Sequence, residues 1–581
     1  MSKKLLNRVE DVVDEALEGM VAVYPGLTRL IGHRVILRTD TPTLVKEGKV
    51  TLLSGGGSGH EPAHAGYVGR GMLTAAIAGG VFTSPPVSSI LAALRAIRSP
   101  GGSLMIFKNY TGDRLNFGIA LEQARSEGAD VRMVIVGEDT ALPTLGHSVT
   151  GRRGLCGALL VHKVAGALAE KGCSLEEVVV AAQRVADSIG TMSVSLSPCS
   201  VPGQTPTFSL GEDEMELGLG IHGEAGAKRT KVQPANAVVK MMVDQILSKE
   251  PGFNYFTADK GSKIALIVNN LGGTSNLELA VMANAAIRYL VDVCQFEVVR
   301  VYMATLMTSL EMGGVSLTLL NNADSWTDSL DLPTTAPGWP TSSVGVDGDM
   351  TRVDSTPIPC PTGGQEQTKT SSTPPPTTNI GVVMKRCVCV MCEALLSHEE
   401  ELNALDRASG DGDCGSTLRA GAEALQLAIP QIAWDSPREA LVAMANVVGV
   451  MGGSSGALYC LFLSGGSVAL EDPTTPLSWA EAMRAGMEAI IKYGQAKRGD
   501  RTMLDAIGPV VDVLMSKLAG GDIGSVLSEA AQAAVRGADA TVGMKARAGR
   551  ASYVHESQLT QVDPGARAVA IWMEALSSAL N

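Results

Sequence analysis

Three aspartates in the C-terminal part of the chain carry the strongest chemical signal in the sequence. Asp406, Asp411 and Asp413 stand at spacings of five and two residues, among glycines that allow a tight turn. Hard divalent cations take oxygen ligands, and Mg²⁺ held by a few carboxylates leaves room for phosphate oxygens. The ligand ladder and closing glutamate of an EF hand are missing. We therefore expect a Mg²⁺ site; the alternative is an acidic, capped turn before a helix.

Further glycine-containing turns downstream could complete a nucleotide site. Ser454 and Ser455 stand in a Gly-Gly-Ser-Ser-Gly run, which can present N–H groups and hydroxyls at the start of a helix. The other candidates in these turns are Gly494, Arg501, Thr502, Met503, Arg550, Asp563, Pro564 and Gly565. The sequence contains neither a P-loop motif nor the H-R-D and D-F-G motifs of protein kinases. Any use of ATP would therefore follow a different plan.

A glycine-rich loop in the N-terminal part presents a histidine. The run Ser54-Gly-Gly-Gly-Ser-Gly-His60 follows residues 50–53, which predict a strand. Glycine lets backbone approach a ligand closely, and open α/β sheets bind ligands at the carboxyl ends of their strands. We expect His60 to hydrogen-bond a ligand or to transfer a proton. The alternative is a glycine turn with a structural histidine.

Two more loops carry groups suited to acid–base or nucleophilic work. Lys108 and Asp113 follow the predicted strand at 104–107, where Asp113 could take a proton from a hydroxyl and Lys108 could bind an oxygen. A surface turn with an ion pair is the alternative. His222 lies in a formal G-x-G-x-x-G match at 218–223, but the acidic run before it argues against a dinucleotide site. A histidine on a glycine loop suits nucleophilic or acid–base chemistry.

Composition excludes several classes of protein. The chain has 581 residues, a formal net charge of −13 and only 4% aromatic residues, so we expect no nucleic-acid partner. Ten cysteines in this length do not indicate a disulfide framework. Cys387, Cys389 and Cys392 predict small buried thiols at a helix start rather than a metal site. Without a secretory signal or an apolar run of about 18 residues, the sequence predicts a cytosolic protein that enters no membrane.

A proline-rich segment divides the chain. Nine of the 27 prolines fall between Pro333 and Pro376, with many serines, threonines and glycines, and such residues predict an extended linker. Before it, strand-like runs alternate with helical patterns, which predicts an α/β fold with mainly parallel pairing, split near residues 195–204. After it, Ala/Leu/Met-rich helical periods predict an all-helical domain. The predicted boundaries are 1–195 and 196–332 for two α/β subdomains, 333–378 for the linker and 379–581 for the helical domain.

Taken together, these loops resemble the dihydroxyacetone kinase family over nearly the whole chain outside the linker. The motifs that carry the resemblance are Gly-Gly-Gly-Ser-Gly-His60-Glu-Pro, Lys108-Asn-Tyr-Thr-Gly-Asp113, Gly-Leu-Gly-Ile-His222-Gly-Glu and the loop around Asp411. The single-chain layout is most similar to the ATP-using, bifunctional animal members. The resemblance implies a triose-binding domain of two α/β subdomains and a barrel of antiparallel helices that binds nucleotide and metal.

The resemblance also implies roles for individual residues. His222 would bond covalently to the substrate carbonyl carbon as a hemiaminal, with Asp113 and His60 as the other catalytic groups. The implied substrate-binding residues are Gly57, Ser58, Gly59, His60, Lys108 and Asp113. Asp406, Asp411 and Asp413 would hold two Mg²⁺ ions with ATP. The implied nucleotide loop is Cys414, Gly415, Ser416 and Thr417, together with Ser454, Ser455, Gly494, Arg501, Thr502, Met503, Arg550, Asp563, Pro564 and Gly565.

The implied activity is ATP-dependent phosphorylation of dihydroxyacetone and D-glyceraldehyde by a homodimer, in which the nucleotide domain faces a triose domain of the partner subunit. The animal members further imply that FAD is split into AMP and riboflavin cyclic 4',5'-phosphate, with Mn²⁺ or Co²⁺ serving this reaction. One alternative makes the helical domain a nucleotide lyase with secondary kinase activity. Another is a triose-binding sensor or adaptor without turnover; the intact His222 and aspartate cluster argue against it.

Overall fold

The computed structural model describes most of the chain in two units. The first unit spans Met1–Pro357 and the second spans Ile358–Asn581. The described residues are 3–143, 151–206, 208–224, 226–323, 326–340, 375–407, 412–449, 451–518, 521–548, 550–553 and 559–581.

The first sheet of the first unit is an α/β sheet with a parallel centre. Its described strands, in the order β1-β2-β4-β3-β5-β6, are β1 Leu27–Arg29, β2 Val35–Arg38, β3 Thr51–Ser58, β4 Ala75–Val81, β5 Ser103–Lys108 and β6 Val131–Val136. Strand β3 pairs in parallel with β4 and β5, and β5 with β6, whereas β1 and β2 form an antiparallel edge. The accompanying helices are α1 Val12–Val23, α2 Thr41–Lys46, α3 Val87–Ala96, α4 Thr111–Ser126, α5 Ala158–Lys171 and α6 Leu175–Asp187.

The glycine run of the first motif belongs to a strand. Strand β3 continues through the glycines to Ser58 instead of ending near Leu53 as expected. Its glycines are needed because neighbouring backbone is close: a Cβ on Gly55 would lie 2.5 Å from the Ile77 carbonyl oxygen. A Cβ on Gly57 would lie 2.7 Å from the Thr83 nitrogen. Glycine inside a strand commonly marks such an approach of backbone.

The second sheet of the first unit is mixed. Its described strands, in the order β11-β10-β12-β7-β8-β9, are β7 Ile189–Ser195, β8 Glu214–Leu217, β9 Lys228–Lys231, β10 Lys263–Asn270, β11 Glu297–Ala304 and β12 Gly314–Asn321. Its helices are α7 Ala235–Ile246, α8 Asn276–Arg288 and α9 Thr327–Leu330. Among these strands only β10 and β11 pair in parallel, so the expectation of mainly parallel pairing is wrong here. Within the described residues no helix joins β7, β8 and β9, so the chain can reverse directly.

The predicted linker is shorter than expected at its N-terminal side. Residues 333–340 pack within the first unit, with Ala336 and Trp339 only 4% and 7% exposed. The Trp339 ring lies 4.8 Å from that of Tyr302, and the Gly338 amide donates to the Gly66 carbonyl at 2.7 Å. Proline-rich composition alone missed this because one tryptophan supplies enough apolar area for docking. The subdomain boundary at 195 stays a prediction, although β7, which precedes it, belongs to the second sheet.

The second unit is helical throughout its described residues, as expected. Its helices are α10 Asn379–Ser397, α11 Glu399–Arg407, α12 Cys414–Ala428, α13 Pro437–Gly449, α14 Gly453–Ala469, α15 Pro476–Gly494, α16 Leu504–Lys517, α17 Ile523–Ala540 and α18 Pro564–Leu580. From α11 onward, helices adjacent in sequence pack together, and α10 packs against α12 and α18, so the first and last helices meet. Short connections favour such antiparallel neighbours. Across the described parts of both units, no helix is long and apolar enough to span a membrane.

The three clustered cysteines lie in the middle of α10, not at a helix start. Cys387 and Cys392 are buried, 6% and 2% exposed, and Cys392 packs in an apolar cluster with Met384 and Trp434. Within the described residues no group of three or more histidine, cysteine, aspartate or glutamate side chains could hold a metal ion. Burial raises the pKa of the Cys392 thiol to about 12, which suits an inert core thiol.

Truncating Trp339 should destabilise the first unit. We expect Trp339→Ala to lower its free energy of unfolding by about 3 kcal/mol, because the ring leaves a cavity against Tyr302. Urea unfolding followed by circular dichroism measures the change. Tyr493→Ala, which removes a ring that is 63% exposed in the second unit, should change that transition by less than about 0.5 kcal/mol. Equal effects of the two substitutions would show that residues 333–340 do not stabilise the unit.

Candidate active site

His60 stands where the first sheet meets the second. It follows β3 through Gly59, whose φ of +97° favours glycine. The His60 ring is fully buried, and its Nδ1 lies 2.8 Å from the Thr308 carbonyl oxygen. A carbonyl only accepts, so Nδ1 carries the proton and Nε2 is an acceptor in the neutral ring. Nε2 is buried and lacks a hydrogen-bond partner within the described structure, so it is ready to accept one from a ligand.

Backbone contacts between the two sheets fix this position. The Leu310 amide donates to the Gly59 carbonyl at 2.8 Å, and the Thr308 amide donates to the His60 carbonyl at 3.2 Å. The Thr308 hydroxyl donates to the Glu61 carbonyl at 3.1 Å. The loop after β11 thus holds the loop after β3 in place. The second sheet contributes the frame on which the histidine of the first sheet is set.

The loop after β8 carries His222. Gly218 and Gly223 have φ of +75° and +74°, so the backbone turns sharply on both sides of the histidine. The Arg153 guanidinium donates to the Gly218 carbonyl at 2.7 Å and forms an ion pair with the buried Asp139. The Glu224 carboxylate accepts a hydrogen bond from the His222 backbone amide at 2.8 Å. Polar contacts therefore fix this loop before any ligand binds.

Three rings surround the imidazole of His222. The rings of Tyr110, His60 and Phe82 lie edge-on to it, with centroids at 4.6, 4.9 and 5.3 Å. Burial lowers the pKa of His222 to about 4, assisted by the charges of Lys108 and Arg153 and opposed by Glu224. The side chain is therefore neutral at physiological pH, with a lone pair available on one ring nitrogen. A neutral imidazole is the form that can act as a nucleophile.

Lys108 and Asp113 lie at the carboxyl end of β5, on the same side of the sheet. Both are buried, 1% and 4% exposed. The Lys108 ammonium donates to His64 Nε2 at 2.7 Å, and the Ser84 hydroxyl donates to the Asp113 carboxylate at 2.5 Å. Burial raises the pKa of Asp113, while Lys108 and Ser84 oppose the shift. These contacts replace the surface ion pair considered as the alternative.

The glycines of β3 form the floor between these groups. A Cβ built on Gly56 would lie 3.0 Å from Lys108 Nζ, 3.7 Å from His64 Nε2 and 3.8 Å from Asp113 Oδ2. Ser58 turns its hydroxyl to the Gly79 carbonyl at 2.8 Å, so only its backbone faces the pocket. The fold thus gathers all the predicted first-unit residues at one pocket, while their individual roles stay predictions.

Sequence reasoning missed several residues that shape this pocket. Phe82, Ser84 and Tyr110 contact the predicted groups; Tyr110 stands in the motif between Lys108 and Asp113, whereas Phe82 and Ser84 belong to no motif. Thr308 contributes a backbone carbonyl, which no side-chain pattern reveals. His64 did have a signal, because it stands four residues after His60 in the same motif.

The second unit holds the aspartate loop. Asp406 lies near the end of α11, and one of its oxygens accepts the backbone amides of Gly412, Asp413 and Cys414 at 3.0, 3.0 and 3.2 Å. Its other oxygen accepts no hydrogen bond from the described residues, and the Asp413 side chain is exposed. Asp411 lies outside the described residues. The oxygen donors that are described fit a hard cation such as Mg²⁺.

Cys414 links the loops predicted to bind nucleotide. Burial raises the pKa of its thiol to about 12, and the nearby charges of Asp406, Asp563 and Asp413 add to the shift. Ser455, at the start of α14, hydrogen-bonds the same thiol. The first turns of α12 and α14 and the cap of α18 therefore converge around this one side chain.

Most of the remaining predicted nucleotide residues lie at the starts or ends of helices of the second unit. Met503 and Asp563 flank Gly565, where a Cβ would lie 3.6 Å from the Met503 Cβ and 3.2 Å from an Asp563 oxygen. Asp563 and Thr502 hold helix starts: Asp563 Oδ1 accepts the Ala566 amide at 2.9 Å, and the Thr502 hydroxyl accepts the Leu504 amide at 3.2 Å. The others are placed as follows: Pro564 at the first position of α18, Ser454 in the first turn of α14, Gly494 at the end of α15, Thr417 in the first turn of α12, and Arg550 in a short 3₁₀ turn with its side chain outside the described part.

Three predicted residues of this unit are already engaged within the protein. The Ser416 hydroxyl donates to Glu399 at 3.1 Å. Gly415 is required by close packing, because a Cβ there would lie 2.1 Å from the Glu399 carbonyl oxygen. Arg501 is only 2% exposed, and its guanidinium donates to the Gln561 carbonyl at 2.8 Å. These contacts give all three a structural role in the loops.

Comparison with known proteins decides the family. Residues 18–338 match the Dak1 domain and residues 408–578 match the DAK2 domain. The chain belongs to the dihydroxyacetone kinase family. The first match extends to residue 338, so it includes most of the docked segment 333–340.

Full-length relatives cover both domains of the family. The chain is 48% identical to human triokinase/FMN cyclase over 100% of both proteins. It is 33% identical to the dihydroxyacetone kinase of C. freundii in complex with AMP-PNP and Mg²⁺, with a TM-score of 0.65 and full coverage of both chains. It is also 34% identical to the dihydroxyacetone kinase operon co-activator DhaQ, which covers 57% of this chain with a TM-score of 0.52.

His222 should remain neutral across the physiological range. Because burial lowers its pKa to about 4, we expect its imidazole resonances to stay at their neutral positions from pH 8 down to pH 5.5. NMR of histidine-labelled protein checks this, with the His222 signal assigned by its loss in His222→Gln. A titration midpoint near 6.5 would contradict the buried, neutral nucleophile.

Proposed function

We propose that this protein is an ATP-dependent kinase of three-carbon carbonyl sugars, dihydroxyacetone and D-glyceraldehyde. The observation that carries the proposal is a buried, neutral His222 facing His60 in a pocket that also holds Lys108 and Asp113. Family membership and the names of the full-length relatives support the same reaction. The second unit would supply the nucleotide.

The first step captures the carbonyl group. A lone pair of the neutral His222 imidazole forms a bond to the carbonyl carbon, and the C=O π pair moves onto oxygen. That oxygen takes up a proton while the imidazole loses its N–H proton, which gives a neutral hemiaminal. His60 Nε2, buried and unpartnered among the described residues, would accept the hydrogen bond of the new hydroxyl. Glycerol has no carbonyl, so it would form no adduct.

The second step transfers the γ-phosphoryl group. The Asp113 carboxylate takes the proton of the terminal hydroxyl as its oxygen bonds to the γ-phosphorus, and the bond from that phosphorus to the ADP oxygen breaks. Lys108 supplies a buried positive charge beside the reacting oxygens. Asp406, Asp411 and Asp413 would hold two Mg²⁺ ions, which when bound neutralise charge on the phosphates. The transfer requires the nucleotide loops to reach a triose site, and the predicted homodimer would supply that approach.

A second activity is favoured by the names of the relatives. Triokinase/FMN cyclases match this chain over its full length, so we propose that it also splits FAD. The oxygen of the ribityl 4'-hydroxyl would bond to the flavin-side phosphorus and lose its proton to solvent, and the phosphoanhydride bond would break to release AMP and riboflavin cyclic 4',5'-phosphate. The reaction is intramolecular and so benefits from proximity. Mn²⁺ or Co²⁺ would serve this reaction in place of Mg²⁺.

The alternatives make different use of the two units. A triose sensor without turnover would need only the first unit, and the structurally similar co-activator covers just 57% of this chain. The presence of a DAK2 domain therefore favours an enzyme. If the helical unit were chiefly a lyase, FAD splitting would exceed triose phosphorylation. The homodimer and the cytosolic location stay predictions.

Removing the nucleophile should separate the two activities. We expect His222→Ala to lower triose phosphorylation by at least about 1000-fold, because the covalent capture is lost. Binding of MgATP by calorimetry and the release of AMP from FAD should persist, since both would use the second unit. Near-normal phosphorylation at saturating dihydroxyacetone in this variant would rule out the covalent role.

Removing a metal ligand should instead impair both reactions. We expect Asp413→Asn to lower kcat for triose phosphorylation and for FAD splitting by about 100-fold, because charge neutralisation at the phosphates is weakened. Asp413 is the better choice than Asp406, whose carboxylate also binds three backbone amides of the loop. Asp539→Asn, which changes an exposed aspartate on α17 of the same unit, is the matched control. Unchanged MgATP affinity and turnover would argue against metal binding there.

A further inference from the structure

His64 is a buried histidine to which the proposed reaction gives no role. Its ring is 5% exposed, and its Nε2 lies 2.7 Å from the Lys108 ammonium. An ammonium group has only hydrogens to donate, so Nε2 must be the unprotonated acceptor. The proton of the neutral ring is then on Nδ1, which faces the Ser54 hydroxyl at 3.3 Å.

The choice of hydrogen-bond partner by Lys108 is informative, because a buried carboxylate, that of Asp113, lies nearby. Asp113 is also buried, and its Oδ2 lies close to the same glycine floor as the ammonium. Yet in the described structure no ion pair joins Lys108 to Asp113, whose carboxylate is bound by Ser84 instead. Two opposite charges on buried side chains attract strongly, so the absence of an ion pair between them needs a cause. The Lys108 ammonium group instead hydrogen-bonds His64.

We propose that His64 is a positioning residue for Lys108: it holds the ammonium group off Asp113, so that the Asp113 carboxylate is free to take the proton of the substrate hydroxyl. This inference rests on the proposed kinase function. It assigns to His64 no contact with the reacting atoms. Its effect passes through Lys108.

The surrounding charges are consistent with this role. His64 is faced by Lys108, His162 and His60, and burial followed by these neighbours lowers its pKa well below the usual value. A proton on Nε2 would place two cations in contact, so the ring stays a neutral acceptor. Lys108 is faced by Asp113 and Glu138, which oppose the lowering of its pKa by burial. The hydrogen bond therefore persists across the physiological pH range.

The kinetic test compares two substitutions of His64 in the full-length protein. His64→Leu removes the acceptor, so Lys108 should pair with Asp113, lower the pKa of that carboxylate and make it a weaker base. We expect kcat for dihydroxyacetone phosphorylation to fall by about 10- to 100-fold, with a smaller change in KM. The acidic limb of the kcat–pH profile should move to lower pH. His64→Gln, whose amide oxygen can still accept, should keep kcat and the limb closer to those of the wild type.

A matched control and a second variant keep the test sharp. His33→Gln removes another partly buried histidine that bonds a serine hydroxyl, at 3.0 Å from Ser89, but not Lys108. It should leave the profile unchanged. If His64→Leu does not fold, Ser54→Ala loosens the same imidazole and should shift the limb in the same direction by a smaller amount. An unshifted limb in the folded variants overturns the proposal.

A spectroscopic measurement separates this inference from the kinase function. In histidine-labelled wild-type protein, the nitrogen shifts of His64 should show an unprotonated Nε2 and no titration between pH 5.5 and 8. Lys108→Met removes the adjacent cation, so the pKa of His64 should rise. If wild-type protein fails to phosphorylate dihydroxyacetone, the kinase proposal falls while this measurement still decides whether His64 holds Lys108. A protonated Nε2 in the wild type would overturn the positioning role.

Discussion

Burial of the ionisable side chains around the first-unit pocket is the constraint on which its chemistry depends. In water an imidazole exchanges between charged and neutral forms near neutral pH, and a carboxylate is a weak base. Burial disfavours charge, so it keeps His60, His64 and His222 neutral and raises the pKa of Asp113. One physical effect therefore prepares both a nucleophile and a base in the same cavity. The aromatic rings around His222 contribute to the burial of its imidazole.

Burying these side chains requires two sheets. The loops after β3 and β5 lie at the carboxyl ends of central strands of the first sheet. The loop that carries His222 follows a strand of the second sheet. Backbone hydrogen bonds from Thr308 and Leu310 to the loop around His60 tie the two together. The histidines meet only because these layers are held at a fixed distance. The contacts that hold the two sheets together therefore also fix the geometry of the site.

Local chemistry was predictable from the sequence where spacing alone reveals it. The strand predicted at 104–107 is found as Ser103–Lys108, and the glycine loops with His60 and His222 do converge on one pocket. Long-range contacts were not predictable: His60 and its carbonyl partner are 248 residues apart. The docking of Trp339 and the mixed second sheet depend on tertiary packing, which composition does not encode. Phe82 was missed because a pocket-lining phenylalanine has no pattern of its own.

The thiol of Cys414 has a consequence for oxidative stress. Thiolates, not thiols, react with peroxides and with disulfides, and their abundance falls as the pKa rises. A pKa of about 12 leaves almost no thiolate near pH 7, even though this cysteine lies among the proposed nucleotide loops. Its carboxylate neighbours, which suit cation binding, also repel the negative charge that oxidation would need. In the metal-free protein the Cys414 thiol is therefore expected to react slowly with peroxides.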